Sequence, residues 1–200
     1  MDWIGLGSSI FSEKCNSIES NGKICVAVGS GTNSLAYSLD GIYNWTGVDQ
    51  IFATGNKVSY NGYIWIAVGY GSNTIAWSND GIVWRGLGLS VFSYQATTIE
   101  WNGIYWIASG TDLVSNNDNH FLHSIAYSTN GIDWNKITNN FSIVCNHISW
   151  NKCKEGIYIN HPSNKLYLSN NNNTIQLITD NYYQYGCKTI SININSNLYQ

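Results

Sequence analysis

Residues 60–84 read YNGYIWIAVGYGSNTIAWSNDGIVW, and this stretch decides the fold. Asn61-Gly62 predicts a two-residue hairpin turn, because both central positions of such a turn need positive φ and Asn and Gly reach it most easily. Asp80-Gly81 marks a second turn for the same reason. The runs between them are rich in β-branched and aromatic residues, which suit a pleated strand. Ile64-Trp65-Ile66-Ala67-Val68 is apolar on both alternating sides, as a strand must be when its sheet is covered on both faces.

The same text returns on either side. Upstream it runs Ser20-Asn21-Gly22, Val26-Ala27-Val28-Gly29, Leu35-Ala36-Tyr37-Ser38-Leu39-Asp40-Gly41 and Trp45. Downstream it runs Trp101-Asn102-Gly103, Ile107-Ala108-Ser109-Gly110, Ile125-Ala126-Tyr127-Ser128-Thr129-Asn130-Gly131 and Trp134. A worn fourth copy begins at Ser149-Trp150-Asn151, continues through Gly156-Ile157-Tyr158-Ile159 and reaches Leu166-Tyr167-Leu168-Ser169. A partial fifth begins at Thr189-Ile190-Ser191-Ile192-Asn193. Asp2-Trp3 matches the tail of a unit, like Asp133-Trp134. A period of about forty residues signals a propeller or solenoid, in which each unit buries its faces against its neighbours.

The expectation is therefore an all-β chain without helices, a single β-propeller domain over 1–200. It has about five four-stranded blades, with repeats at 7–45, 46–84, 85–134, 135–179 and 180–200 plus 1–6, so that the N-terminal strand completes the last blade. An incomplete or open propeller of four or more blades is the alternative. A small residue stands seven places before each Asn-Gly glycine, at Cys15, Gly55 and Ala96, and the alignment puts Cys145 and Cys187 there in the last two units. That predicts a crowded position near a central axis.

Composition excludes several classes. Charged residues make up 10% and the net charge is −3, so the basic face that nucleic-acid binding needs is missing. Hydrophobic residues at 44%, with nine Trp and fourteen Tyr, exclude a disordered chain. No run of eighteen apolar residues predicts a membrane helix, and Met1-Asp2-Trp3-Ile4-Gly5 does not read as a signal peptide. The five Cys include no C-x-x-C pair, so a reducing compartment and buried thiols are expected in place of a disulfide framework or a metal ring. The abundance of Asn and Ile resembles the coding bias of an AT-rich genome, which is a hint about source and not about chemistry.

The element Ser78-Asn79-Asp80-Gly81-Ile82-Val83-Trp84 resembles the Asp-box repeat carried by sialidase-type and related β-propellers. Together with its upstream strands it is similar to repeats in uncharacterised proteins of large DNA viruses and some bacteria. The resemblance covers nearly the whole chain. The N-terminal sequence reads as non-secreted and leaves the localisation open; the resemblance points to the host cytoplasm or a virion of a large DNA virus. It also implies that Ser38, Asp40, Trp45, Ser78, Asp80, Trp84, Ser128, Asn130 and Trp134 are scaffold, with Ser and Asp tying a turn and Trp packing between blades. Here the motif is one residue shorter than the usual form, and Asn130 replaces Asp in the third unit.

Catalysis of the sialidase kind needs three arginines on the substrate carboxylate, and this chain has only Arg85. A glycosidase needs two facing carboxylates. Asp40 and Asp80 are used in turns and the other acidic residues form no evident pair. His120 and His123 near Asp112 and Asp118 could ligate a metal, but an i, i+3 pair in a polar insertion reads as two exposed imidazoles. No enzyme, cofactor or metal is expected.

Function then falls to the irregular connections, since loops carry binding more often than scaffold. The tight turns of every unit should lie at one end and the longer connections, 29–33, 48–55, 70–73, 85–95 and 111–123, at the other. The candidate contacts are Tyr70, Asn73, Arg85, Tyr94, Asp112, His120 and Phe121. The expected function is non-catalytic binding of a glycan or protein partner, similar to small five-bladed lectins in size and repeat number. The alternatives are a structural virion component that packs on itself through an incomplete last blade, and an Asp-box propeller hydrolase.

Overall fold

The structure, a computed structural model, describes residues 7–48, 50–115, 120–141, 147–151, 156–160, 166–169, 175–178 and 190–192. Every regular element among them is a β-strand. The first unit is β1 (Lys14–Ser20), β2 (Cys25–Ser30), β3 (Leu35–Ser38) and β4 (Trp45–Gly47). The second is β5 (Thr54–Tyr60), β6 (Trp65–Tyr70), β7 (Ile75–Ser78) and β8 (Arg85–Gly86). The third is β9 (Gln95–Trp101), β10 (Trp106–Ser115), β11 (His120–Ser128) and β12 (Asn135–Phe141). Each unit is an antiparallel meander in which every strand pairs with the next.

Hydrogen bonds join these twelve strands into one sheet that does not close. The joints between units are single residue pairs, Ser30 with Thr54 and Tyr70 with Gln95. So few ladder bonds cannot fix one unit on another, and the work falls to the faces. Val26, Val28 and Leu35 of the first unit pack with Phe52, Val58, Trp65, Ala67 and Trp84 of the second. Ile66, Val68 and Ile75 of the second pack with Phe92, Ala96, Ile99, Trp106 and Ala108 of the third. Strand β6 shows the rule: Trp65 and Ala67 face one neighbour, Ile66 and Val68 the other, and all four are fully buried.

The small-residue position is crowded at Gly55 and Ala96, where the preceding unit packs on it, but Cys15 is exposed and Cys25 only partly buried, which corrects the expectation of buried thiols. A Cβ on Gly55 would stand 2.6 Å from both the Val28 Cβ and the Ser34 carbonyl oxygen. Cys145 and Cys187 lie outside the described residues. A second close approach went unforeseen. Phe11, Phe52 and Phe92 each lay a ring against the equivalent glycine of the second strand, Gly29, Gly69 and Gly110.

The Asn-Gly turns differ from the two-residue form expected. The strands pair Ser20 with Cys25, Tyr60 with Trp65 and Trp101 with Trp106, which leaves four-residue loops. The Asn side chain closes each loop. In the second unit Asn61 Oδ1 accepts the Tyr63 N–H at 3.0 Å and the Ile64 N–H at 2.9 Å, and Asn21 and Asn102 repeat the arrangement. Gly62 at φ 100° supplies the left-handed step.

The second turns are tied by the side chains of their own Ser and Asp residues. Ser78 Oγ donates to Asp80 Oδ1 at 2.9 Å and accepts the Gly81 N–H at 2.9 Å, while Asp80 Oδ1 accepts the Ile82 and Val83 N–H groups at 2.8 Å each. Asn130 does the same with its amide oxygen, accepting from Ile132 and Asp133 at 2.9 Å each. Trp84 and Trp134 donate their indole N–H to the carbonyls of Gly81 and Gly131, both at 3.1 Å. One extra residue in the first unit's turn displaces Trp45, whose buried Nε1 has no partner.

The C-terminal strands form a separate sheet ordered β13 (His147–Asn151), β14 (Gly156–Asn160), β17 (Ile190–Ile192), β15 (Leu166–Ser169), β16 (Ile175–Ile178). The segment expected to open a fifth unit is β17, and it lies between β14 and β15, parallel to the latter. In the first three units the corresponding second and third strands are direct neighbours. Strand β13 packs on β9 and β10. Trp3, expected to close a ring, lies outside the described residues.

Candidate functional site

Antiparallel alternation puts both tight turns of a unit at one end and the longer connections at the other. At that second end, where the second and third units meet, two tyrosines come together. Tyr70 ends β6 and Tyr94 precedes β9, beside the single pair Tyr70–Gln95 that joins the units. Their ring centroids are 5.2 Å apart with the planes tilted by 58°. Tyr70 is 40% exposed and Tyr94 is half-buried. A tilted pair with one ring open to solvent offers an apolar face beside phenolic hydroxyls, a combination suited to partly wet ligands.

The loop that carries Tyr94 is held down on three points. Its backbone N–H donates to the Thr111 carbonyl at 3.1 Å, the Ser93 N–H donates to Asp112 Oδ1 at 2.8 Å, and the Leu113 N–H donates to Ser93 Oγ at 2.9 Å. Asp112 also accepts the Ser124 hydroxyl at 3.0 Å and the Lys136 ammonium at 2.8 Å to each oxygen. Burial pushes the Asp112 carboxyl up, but Lys136, Ser93 and Ser124 outweigh it and hold the group below the usual carboxylate range. Lys136 lies 5.6 Å above the Phe92 ring. Asp112 is thus a clamp whose oxygens are already engaged.

The other candidates are placed differently. Asn73 is a structural tie: its Nδ2 donates to the Ile51 carbonyl at 2.8 Å and its Oδ1 accepts the Gly88 N–H at 2.9 Å. Asn33 makes the matching bond to the Ile10 carbonyl at 2.8 Å, which marks the position as part of the repeat. Arg85 was expected to start a long connection. It instead opens β8, paired with Trp77, with its guanidinium 5.2 Å from that ring, on the outer strand of its unit. The insertion at 111–123 was expected as an irregular loop. Its described residues extend β10 and β11 into a longer hairpin, pairing Thr111 with His123, Leu113 with Phe121 and Ser115 with His120. The tip at 116–119, with Asp118, lies outside the described residues.

Of the seven candidates, then, Tyr70, Tyr94 and Asp112 gather at one place. Ser93 and Thr111, each next to a candidate in an expected connection, belong there too, as does Lys136; none was named as a contact, and no spacing signal links positions 93, 112 and 136. Among the described residues no three His, Cys, Asp or Glu side chains cluster as a metal site would require. No described helix is long and apolar enough to cross a membrane.

No family model and no curated protein matches the chain. Solved structures do. A chain of a nidogen/laminin complex aligns with a TM-score of 0.57 at 11% identity, over 76% of this chain and 58% of that one. The computationally designed protein Ika4 aligns with a TM-score of 0.57 at 6% identity, over 90% of this chain and 100% of that one. A putative 6-phosphogluconolactonase from Bacteroides uniformis aligns at 0.52 and 12% identity, over 90% and 55%. Identities this low speak to fold alone. The chain spans little more than half of the nidogen/laminin and lactonase chains.

Proposed function

We propose that the chain is a non-catalytic binding module of β-propeller type, with its repeats as blades in the Asp-box manner, and that it takes a glycan or a protein partner at the long-connection end. The observation that carries this reading is the Tyr70–Tyr94 pair, exposed at the joint between two units and backed by the Asp112 clamp. A sugar ring can stack on the open tyrosine face while its hydroxyls meet the phenols and nearby serines. The one arginine stacks on Trp77 away from this site, and Asp112 is fully engaged, which leaves neither the anion clamp of a sialidase nor, among the described residues, a pair of free carboxylates there. The test is a glycan array probed with the 200-residue chain, followed by titration of any hit against Tyr94→Ala. Binding that falls about tenfold or more with the fold intact supports the reading, in line with the weight of buried aromatic contacts. Binding unaffected by the substitution contradicts it.

A further inference from the structure

The rear face of the first unit has no described residue against it, although its counterparts are sealed. Alignment of the repeats makes Ile18, Val58 and Ile99 equivalent. Val58 is 1% and Ile99 0% exposed, each covered by the unit before, while Ile18 is 58% exposed. Around Ile18 lies a cleft of about 410 Å³, lined by Phe11, Ala27, Trp45 and Cys15 with Glu13 and Lys14. Phe52, Ala67 and Trp84 occupy the corresponding places in the second unit and form a buried core there. The exposed face is thus one half of an interface that this repeat builds twice elsewhere.

We infer that this face binds the same face of a second copy of the chain, forming a two-fold symmetric dimer. Two observations select that occupant. First, the repeat-type cover would be a second strand beside a third, as in Val26 and Val28 next to Leu35. Among the described strands the C-terminal sheet does not present it, because β17 separates β14 from β15. Second, Glu13 and Lys14 stand side by side in the cleft lining, and both are exposed. A two-fold axis brings the Lys14 of one copy toward the Glu13 of the other, so the patch is complementary to itself in charge as well as apolar. This inference is independent of the glycan site, which lies at the other units' joint.

The experiment is light scattering of the 200-residue chain across a dilution series, with the rate of Cys15 alkylation read by peptide mass spectrometry at each concentration. A dimer is expected, with Cys15 alkylation at least several-fold slower at high concentration than at high dilution. Ile18→Asp should raise the dissociation constant by about tenfold or more, and Val83→Asp, an equally exposed apolar site at the tight-turn end, should not. Lys14→Glu should weaken the dimer and Glu13→Lys with Lys14→Glu should restore it. A monomer whose Cys15 is reactive at every concentration overturns the inference. So does a monomer whose Cys15 is protected at every concentration, since the cover is then the chain itself. A dimer indifferent to Ile18→Asp and to the charge swap overturns it as well.

Discussion

The two ends of the units are built from the same strands yet follow different rules. At the tight-turn end the three described units repeat one another: Asn21, Asn61 and Asn102 close one loop, and Ser38–Asp40, Ser78–Asp80 and Ser128–Asn130 tie the other. At the other end only part of the pattern repeats. Asn33 and Asn73 tie successive units in the same way, but the first joint meets with Ser30 and Ala53 where the second has Tyr70 and Tyr94. The third unit then raises its hairpin above the rest. Regularity marks what the fold needs, and departure from it marks where a ligand can be served. The exposed apolar residues qualify this contrast, since Tyr63 at 85% and Val83 at 63% stand on the regular end. They belong to turn tips whose polar groups are already satisfied.

The largest effect should come from the joint cores, which both ends depend on. Trp65→Ala removes a fully buried ring from the core between the first two units and should cost about 3–5 kcal/mol, whereas Tyr63→Ala two residues away should cost under about 0.5 kcal/mol. Chemical denaturation of the two variants checks the pair. Comparable losses would mean that the faces are not the main support.

Gly55→Val comes next. Its side chain would meet the Val28 Cβ and the Ser34 carbonyl, so a cost of about 1–3 kcal/mol is expected, read as a lower denaturation midpoint. A neutral result would mean that the units stand farther apart than described.

The turn carboxylates are third. Backbone N–H groups of Ile42 and Asn44, with the Ser38 hydroxyl, hold Asp40 well below the usual range, and the Val83 and Ile82 N–H groups with Ser78 lower Asp80. A carboxyl whose folded pKa is depressed contributes stability above its unfolded pKa and loses it as pH falls through the folded one. Both turns should therefore weaken as pH drops below about 4. The third turn uses Asn130, which does not titrate, so Asp80→Asn should keep the turn and remove its share of the acid sensitivity. Thermal melts between pH 3 and pH 7 check this; an unchanged pH slope in the variant counts against it. Asp80→Ala, which loses the acceptor altogether, should cost about 1–2 kcal/mol by analogy with other side chains that cap backbone N–H groups.

The smallest stability effect is expected at the clamp. Asp112→Asn weakens a partly exposed ion pair with Lys136, whose side chains are 20% and 35% exposed, and should cost about 1 kcal/mol or less. Its amide oxygen can still accept the Ser93 N–H, so affinity for a ligand at Tyr94 should change little, whereas Asp112→Ala, which loses that acceptor, should lower it by freeing the loop.

The strands and the Ser–Asp ties of the second turn were legible in residues 60–84, and the period in their recurrence, because turn residues and two-sided apolar strands are local facts. Three features were not. The Asn-Gly loops hold four residues, since the Asn side chain caps two N–H groups and so stabilises a longer turn than the dipeptide suggests. The insertion became strand because its neighbours were strands already and extension satisfies its backbone polar groups. Asp112 and Lys136 are twenty-four residues apart and meet only once the third unit is folded. Asn73 was legible in hindsight, as a position shared with Asn33 forty residues earlier.

The contrast between the two ends is tested most directly by one titration. A glycan found on the array is measured against the chain, against Tyr70→Ala with Tyr94→Ala, and against Tyr63→Ala with Ile104→Ala at the regular end. The expected result is a loss of about tenfold or more for the first pair and none for the second, with all three melting alike. Loss confined to the second pair, or equal loss in both, would contradict the account.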